Sequence, residues 1–517
     1  MKQRTLNPAK VSLFCYLAIY SLAPANAQAP ASTQEAKPAQ STIADRNPES
    51  TLQLQAAYYH PETIQSVYLD IDPVDRQRML DALPECIYVP ASFRWKDIRL
   101  PKVAVRFKGS SSSHPQQKHK RSFLVKFNQD DKEKRFLGLR RVSFDNGVQF
   151  GSLFSEPIIT GILAKVGLKT HRCNYAKVFL NQRYLGVYVN VERIDESFIE
   201  RHFPGSKGGL WKNDLGGPGG NLQFIGDDPK AYKKAFEPKN RPAEKTQAPL
   251  VALTRLINQT NKEQVNDVLP THIAIDDFLH HTAVLLLSGA FDQLTGWNHH
   301  NFYLYRETPQ NRWHYFPWDL DVGFCEIAFG RIYVLKDWHA AWPIPRGQHN
   351  PLLERIIETP QLLARYRQIA QKILENHFEP TQLCQTVDRH YDLIRESLES
   401  DPFPHQRATV PTDTSYDDIV QSIKSFIRKR YRSAQQELAN PGQRPQPVNR
   451  STAELPQGAP AALGKKMQAA MQEARQLQQR LQRIDKLFRQ AGPLLQQGKH
   501  EQAEKLIEQA LELIRQN

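Results

Sequence analysis

The stretch that decides the fold is FDQLTGWNHHNFYLYRETPQNRWHYFPWDLDVGF, residues 291–324. It contains two aromatic-rich runs, residues 302–305 and 313–316, which flank a polar segment with a proline at residues 307–311. Aromatic residues favour strands, and a short polar breaker between two such runs is typical of a turn. The stretch therefore predicts a β-hairpin.

The open end of this hairpin gathers oxygen-bearing side chains. Asn301 precedes the first strand, and Asp319 and Asp321 follow the second, so antiparallel pairing brings the three together. Asp292 lies just upstream, where a long apolar helix pattern ends. Because hard cations such as Mg²⁺ favour oxygen ligands, the pattern indicates a cation site for a phosphate-bearing ligand. The alternative is that WDLD ends a strand and its carboxylates only cap turns.

Length and composition are those of a large globular protein. The chain has 517 residues, enough for more than one domain, and 40% of them are hydrophobic. The formal net charge is +14, and removing the three basic residues of the predicted N-terminal signal leaves +11. Basic and acidic residues are interleaved without a nucleic-acid-binding motif. We therefore interpret the charge as a solvated basic surface and expect no specific nucleic-acid partner.

The N-terminus is typical of a secretory signal peptide, residues 1–27. Basic residues precede an apolar run at residues 11–22, and Ala25-Asn26-Ala27 is a small-x-small cleavage site. We expect cleavage after Ala27 and a secreted, periplasmic or cell-surface protein; the alternative is an uncleaved anchor. No later stretch is long and apolar enough to span a bilayer.

Four cysteines remain after the predicted signal, and they form no CxxC pair. An oxidising compartment permits one or two disulfides among them, but the spacing does not assign a pairing, and it disfavours zinc. They are Cys86, Cys173, Cys325 and Cys384.

Two Pro- and Gln-containing linkers, residues 28–50 and 440–460, bound a main domain at residues 51–439. Its first part, about residues 51–204, alternates strands with one helix and a hairpin. Its second part, about residues 221–439, is mainly helical. The pattern predicts an α+β fold with a strand-rich N-lobe and a helical C-lobe.

Residues 461–517 predict a C-terminal helical hairpin, similar to one tetratricopeptide-type helix pair or to a coiled coil. A single pair cannot bury both of its faces. We therefore expect it to dock on the main domain, to self-associate or to bind a partner.

Two further loops bear on ligand binding. The polar segment KGSSSSH, residues 108–114, lies near a basic cluster at residues 118–121, and either covers phosphates or forms an exposed hairpin loop. Residues 205–220 are glycine-rich and are interpreted as a mobile connection between the two parts of the main domain.

Several motifs occur in the order found in one known family. They are HHNFYLYR with WHYFPWDLDVGF, VRFKGSSS with KRSFLVKF, VFLNQRYLGVYVNVERID, GGLWK, IDDFL and NPLLERIIETPQLLARYRQI. Over roughly residues 65–438 the chain resembles the CotH family, spore-coat protein H-like proteins with an atypical, secreted protein-kinase fold. The signal, both linkers and the tail lie outside this resemblance.

The resemblance implies phosphoryl transfer from ATP to protein side chains with Mg²⁺ or Mn²⁺. It matches Asp292 to the catalytic aspartate, which accepts or orients the substrate hydroxyl. It matches Asn301 and Asp319 to the metal ligands, with Asp321 either as a supporting ligand or as a residue that contacts the ligands from behind. The long gap after Asp292 leaves Asn298 as a rival for the metal-binding amide.

The cofactor-binding residues are less sharply matched. The resemblance makes Lys120 and Lys126 both candidates for the strand lysine that neutralises phosphates. The sequence does not choose between them, because side chains at even spacing share one strand face. Glu192 is the candidate for adenine contact, and Lys212 for phosphate contact from the mobile connection. The chain has no GxGxxG, HRD or DFG motif of ordinary kinases.

We therefore predict an exported protein kinase that modifies hydroxyl side chains of other exported proteins. One alternative is a catalytically silent CotH-like surface binding module whose tail hairpin recruits a partner. The other is a metal-dependent phosphohydrolase that uses the same carboxylates on water.

Overall fold

The computed structural model describes most of the main domain and part of the tail. The predicted signal peptide, nearly all of both linkers, Asn298 and most of the first tail helix lie outside the described residues. The described residues are 48–109, 113–117, 120–147, 152–214, 216–296, 299–328, 332–333, 337–341, 349–403, 407, 409–442, 480, 483–484, 487–488, 490–495 and 499–515.

Helices and strands are mixed along the chain, as the α+β prediction requires. The helices are α1 (Pro48–Tyr58), α2 (Pro73–Asp81), α3 (Ser155–Lys165), α4 (Glu196–His202), α5 (Arg241–Lys245), α6 (Ala248–Gln259), α7 (Val265–His272), α8 (Ile275–Leu287), α9 (Pro351–Glu358), α10 (Pro360–His377), α11 (Pro380–Glu399) and α12 (Tyr416–Ala439). The strands are β1 (Ile64–Asp70), β2 (Val89–Trp95), β3 (Ile98–Lys108), β4 (Ser122–Lys126), β5 (Arg141–Asp145), β6 (Cys173–Leu180), β7 (Arg183–Glu192), β8 (Leu210–Asn213), β9 (Glu237–Pro238), β10 (Phe302–Glu307), β11 (Arg312–Pro317), β12 (Ile327–Ala328) and β13 (Ile332–Tyr333).

The first seven strands close into a barrel in the order β1-β2-β3-β4-β5-β7-β6. The ring is closed by parallel pairing of β1 with β6, while the other pairs are antiparallel. Alternate residues such as Val67, Leu69, Phe93 and Trp95 are buried in its interior. The strand-rich first half is confirmed. A closed barrel does not by itself define a kinase lobe, so the kinase-like architecture stays a prediction.

Lys108 and Asp145, two charged residues of the candidate site, lie at one rim of the barrel. Lys108 ends β3 and pairs with Ser122 at the start of β4, and β5 ends nearby at Asp145. Lys126 lies at the other end of β4, opposite Ala104. At about 3.3 Å per strand residue, this separation is roughly 13 Å. Lys108 and Lys126 therefore lie at opposite rims.

The predicted hairpin is confirmed as β10 and β11, paired from Phe302 with Pro317 to Glu307 with Arg312. It belongs to a four-stranded sheet of order β11-β10-β8-β9. The prediction that residues 205–220 form a mobile connection is wrong for the middle of this range, which contains strand β8. There β8 pairs with β10 and fixes Lys212 opposite Tyr303, because Leu210 and Trp211 bury their side chains in the core.

The helices of the second half pack around this sheet. Helix α8 is buried along most of its length, and it begins where Ala274 N donates to Trp313 O of β11 at 2.8 Å. Helices α9 and α10 are separated at Thr359, directly before Pro360. The hairpin is held in the core because most of its own side chains, including Phe302, Tyr303 and Phe316, are buried there.

The four cysteines that follow the predicted signal, Cys86, Cys173, Cys325 and Cys384, all carry free thiols. No helix within the described ranges is long and apolar enough to cross a membrane. In the tail, the helix His500–Arg515 buries Ala503 and Ala510 and exposes Leu511 and Ile514.

Candidate functional site

The base of the β10–β11 hairpin is held in an unusual backbone conformation. Asn301 and Asp319 both have positive φ, at 55° and 60°. Trp318 N donates to Asn301 O at 2.8 Å, and Gln293 Nε2 donates to Trp318 O at 2.8 Å. Left-handed non-glycine residues are strained and concentrate at functional sites, and Asn and Asp tolerate the conformation best.

The end of α8 delivers Asp292 to the same place. Gly289, at φ 63°, ends the helix, and Ala290 N donates to Leu285 O at 2.9 Å, as in a Schellman motif. Asn301 Nδ2 then donates to Asp292, at 3.1 Å to its backbone O and 3.2 Å to Oδ2. His300 Nε2 lies 3.5 Å from Asp292 Oδ1. The structure thus brings Asp292 and Asn301 together.

Asp319 meets two carboxylates that come from the barrel half of the chain. Asp145 ends β5 at the barrel rim, and Glu156 lies in the first turn of α3. One ligand oxygen from each of Asp145, Glu156 and Asp319 lies within 4.8 Å of the others. Elements more than 160 residues apart in the sequence therefore converge on one acidic cluster.

Helix α3 is positioned against the Asp319 segment by its own N-terminus. Ser152 N donates to Asp321 O at 3.2 Å, and Ser152 Oγ accepts from Ser155 N at 3.2 Å. A helix N-terminus favours an acidic side chain such as Glu156. Glu156 Oε1 also lies 3.0 Å from Nε2 of the buried His171. These contacts fix the direction of the Glu156 carboxylate.

The cluster holds more negative charge than its surroundings neutralise. Burial raises the pKa of Asp319, and Lys108 only partly opposes this. Burial also raises the pKa of Asp321, which Asp319 and Glu156 raise further. The pKa of Glu156 is raised by burial in spite of His171. Raised carboxyl pKa values at one place are typical of functional sites.

Three cations face the indole ring of Trp318, next to Asp319. The charged groups of Lys108 and Lys212 lie 5.9 Å from the ring centroid, and that of Arg193 lies 4.4 Å from it. Lys108 also pairs with Asp145, and the carboxylates of Asp145 and Asp319 outweigh burial and raise its pKa. Burial lowers the pKa of Lys212, which pairs with Asp214. Such a group of cations suits a phosphate-bearing ligand.

Three predicted cofactor residues lie in other surroundings. Lys120 is buried, donates to Asp401 Oδ2 at 2.7 Å and to Val187 O at 2.5 Å, and its pKa is lowered by burial. Lys126 is at the opposite barrel rim, 5.7 Å from the Tyr88 ring centroid. Glu192 is buried between Arg172 and Arg201, at 2.7 and 2.6 Å. Of the four residues that the sequence proposed for cofactor binding, only Lys212 lies beside the acidic cluster.

Sequence reasoning missed Lys108, Asp145, Glu156 and Arg193. Lys108 begins the polar loop for which the sequence left two interpretations open, a cover over phosphates or an exposed hairpin loop, so its position offered a signal. Residues 110–112 and 118–119 of that region lie outside the described residues. Asp145 gave no signal, because its partners Glu156 and Asp319 come from α3 and from the segment after β11.

The site fits a hard divalent cation by its own chemistry. Asp145 Oδ2 and Glu156 Oε2 are buried and have no hydrogen-bond partner. Both belong to the cluster with Asp319, and all its donors are carboxylate oxygens, which Mg²⁺ and Mn²⁺ prefer. Asp321 lies two residues after Asp319, and its pKa is raised by burial and by the negative charges of Asp319 and Glu156.

The family model described as CotH kinase protein matches residues 105–434, which include the barrel rim, Asp292 and the hairpin. The chain therefore belongs to the CotH family, as the resemblance of its motifs implied. It is similar to the inner spore coat protein H of Bacillus subtilis (strain 168). The two are 22% identical over 361 residues, which cover 69% of this chain and 90% of that protein.

Proposed function

We propose that this protein is an ATP-dependent protein kinase with a two-lobed, kinase-like architecture. The observation that carries the proposal is the convergence of three features. Asn301 holds Asp292 and accepts from Trp318 N, which places both next to Asp319 and its acidic cluster. The charge of Asp292 also raises the pKa of Asp321, and three cations face Trp318 beside them. The name of the family, CotH kinase protein, supports it. So does the chain order of a strand-rich part, the β8–β10 sheet and a helical part.

The side chains divide the work of phosphoryl transfer. Asp292, half-buried and held by Asn301, accepts or orients the acceptor hydroxyl. Asp319 and Asn301 would hold the metal, with Asp321 in support, and a bound divalent metal would neutralise charge on the ATP phosphates. Lys108, Lys212 and Arg193 supply further positive charge, so positioning and electrostatics carry the catalysis. As the strand lysine that neutralises phosphates, Lys108 is favoured over Lys120 and Lys126, because only Lys108 lies beside Trp318 and the acidic cluster.

The acceptors we propose are Ser, Thr or Tyr hydroxyls of exported proteins. The predicted signal peptide supports export, and so does the similarity to a protein named as a spore coat component. The apolar face of the tail helix, with Leu511 and Ile514 exposed, supports recruitment of a partner or self-association there.

Two other functions use the same geometry. A metal-dependent phosphohydrolase would direct water, instead of a protein hydroxyl, at the phosphate through Asp292. A silent binding module would keep the fold without turnover. The partnerless carboxylate oxygens argue against the silent module, because a silent fold gains nothing from leaving them buried and unsatisfied.

One assay separates the three functions. The exported chain is incubated with γ-labelled ATP and Mn²⁺, alone and with a generic protein acceptor, beside Asp319→Ala and the control Asp130→Ala. Asp130 is an exposed residue in the loop after β4, at the far rim. Labelled protein that disappears only in Asp319→Ala supports the kinase. Free phosphate without labelled protein indicates the hydrolase, and an absence of turnover indicates the silent module.

A further inference from the structure

In the acidic cluster, the carboxylates of Asp145 and Glu156 each have one oxygen with a partner and one oxygen without a hydrogen-bond partner. Asp145 Oδ1 accepts from Ser143 Oγ at 2.9 Å and pairs with Lys108. Glu156 Oε1 lies 3.0 Å from His171 Nε2. The second oxygens, Asp145 Oδ2 and Glu156 Oε2, are buried without a hydrogen-bond partner. The anchored oxygens fix the carboxylates, while the partnerless ones remain available to a ligand.

This arrangement is costly for a structure that binds nothing there. The side chains of Asp145 and Glu156 belong to residues only 7% and 1% exposed, so water has little access to them. An unsatisfied buried acceptor costs about 1–3 kcal/mol, and more when it is charged. Native proteins retain such groups where a ligand or ion completes them.

We propose that Asp145, Glu156 and Asp319 together bind a hard divalent cation without the help of a nucleotide. The proposed function assigns Asn301 and Asp319 to the metal of the kinase, with Asp321 in support. The site proposed here adds two ligands from the barrel half and is complete before ATP arrives. It stands on the protein's own side chains and holds whether or not the protein is a kinase.

The spacing of the ligand atoms is compatible with such an ion. They lie no more than 4.8 Å apart. Opposite ligands are about 4.2 Å apart around Mg²⁺ and about 5 Å apart around Ca²⁺. The cluster therefore accepts Ca²⁺ as it stands, and Mg²⁺ or Mn²⁺ after a closure of roughly half an ångström at most.

Outer partners support the ligands as they do in known metal sites. His171 orients Glu156, and Ser143 and Lys108 orient Asp145. Hydrogen bonds to the non-ligating oxygens fix ligand direction and tune affinity. Through these ligands the cation joins the end of β5, the first turn of α3 and the segment after β11.

The test is a Mn²⁺ titration of the exported chain without nucleotide, followed by the electron paramagnetic resonance signal of free Mn²⁺. We expect one bound ion that Ca²⁺ and Mg²⁺ displace. Glu156→Gln and Asp145→Asn should each weaken binding at least tenfold, and Asp130→Asn should stay within threefold of the wild type. Near-UV circular dichroism establishes that each variant is folded, and two separate ligand variants guard against a folding defect in one.

Absence of Mn²⁺ binding without nucleotide overturns the proposal. So does an unchanged affinity in a folded Glu156→Gln or Asp145→Asn variant. A protein that binds Mn²⁺ but transfers no phosphate refutes the kinase and leaves this cation site standing. A protein that transfers phosphate but binds no metal without ATP refutes only the cation site.

Discussion

Two groups of charged side chains in this protein, the Glu192 ion-pair group and the acidic cluster around Asp319, have opposite electrostatics. In the first, Glu192 accepts from Arg172 at 2.7 Å and from Arg201 at 2.6 Å, so two guanidiniums face one carboxylate. Burial alone would raise the pKa of Glu192, but Arg201 and Arg172 outweigh it and lower the pKa. In the second, at the base of the hairpin, burial and mutual repulsion raise the pKa of Asp319 and Asp321.

The difference separates groups that stabilise the fold from groups kept for a ligand. The oxygens of Glu192 are paired, so its charge stabilises the folded state relative to an unpaired buried charge. Asp145 and Glu156 each keep a buried oxygen without a partner. Since this surplus charge costs stability, function is the better explanation for it.

The largest expected effect comes from breaking the paired cluster. Glu192→Gln removes the charge between Arg172 and Arg201, and we expect a loss of about 3–5 kcal/mol in the free energy of unfolding at pH 7. Because the folded pKa of Glu192 is lowered, its contribution is present above the unfolded value of about 4.3 and is lost as the pH falls through the folded value.

Urea denaturation of wild type and Glu192→Gln between pH 7 and pH 3 measures this difference. The gap in unfolding free energy should be constant down to about pH 4.5 and should shrink below it. A gap that does not change with pH would mean that packing, not charge, holds this cluster.

The second prediction concerns the buried pair of Lys120 and Asp401. Lys120→Met leaves Asp401 without its ammonium partner, and we expect a loss of about 3 kcal/mol in the free energy of unfolding. Phosphoryl transfer per folded molecule should be unchanged, because Lys120 points to Asp401 and Val187. A folded Lys120→Met variant that has lost transfer would restore Lys120 as the phosphate-binding lysine.

The third prediction concerns Lys108 at the base of the hairpin, where we expect a loss of phosphoryl transfer. Lys108→Met should lower phosphoryl transfer about 100-fold, or roughly 2.7 kcal/mol in the activation free energy, because one cation beside Trp318 is lost. Lys126→Met is the matched control at the opposite rim and should change unfolding by no more than about 0.5 kcal/mol. Initial rates of label transfer give the comparison, and equal rates for the two variants would contradict the assignment.

The sequence predicted the part of the site that lies within one hairpin. Asn301 and Asp319 meet because strand register brings the two ends of β10 and β11 together, which local pattern can indicate. Asp292 could also be placed, because the apolar pattern of α8 ends just before it. The sheet alternation and helix periodicity gave most elements of the main domain for the same reason.

The rest of the site depends on contacts between distant segments. Asp145 and Lys108 share a rim because β3 and β5 both pair with β4, but only the packing of the Asp319 segment against this rim completes the cluster. Glu156 joins it because Ser152 N donates to the Asp321 backbone. Lys120 was a reasonable phosphate candidate until the fold paired it with Asp401, 281 residues later. Strand-face periodicity cannot reveal a partner at that distance.

The most direct test of the central claim uses Asp292→Asn, which keeps the shape of the side chain and removes its charge. Initial rates of γ-phosphate transfer to a protein acceptor are measured beside binding of labelled ATP. We expect transfer to fall at least 100-fold while ATP affinity stays within threefold, because Asp292 acts on the acceptor hydroxyl. Transfer at the wild-type rate by a folded Asp292→Asn variant would contradict the account.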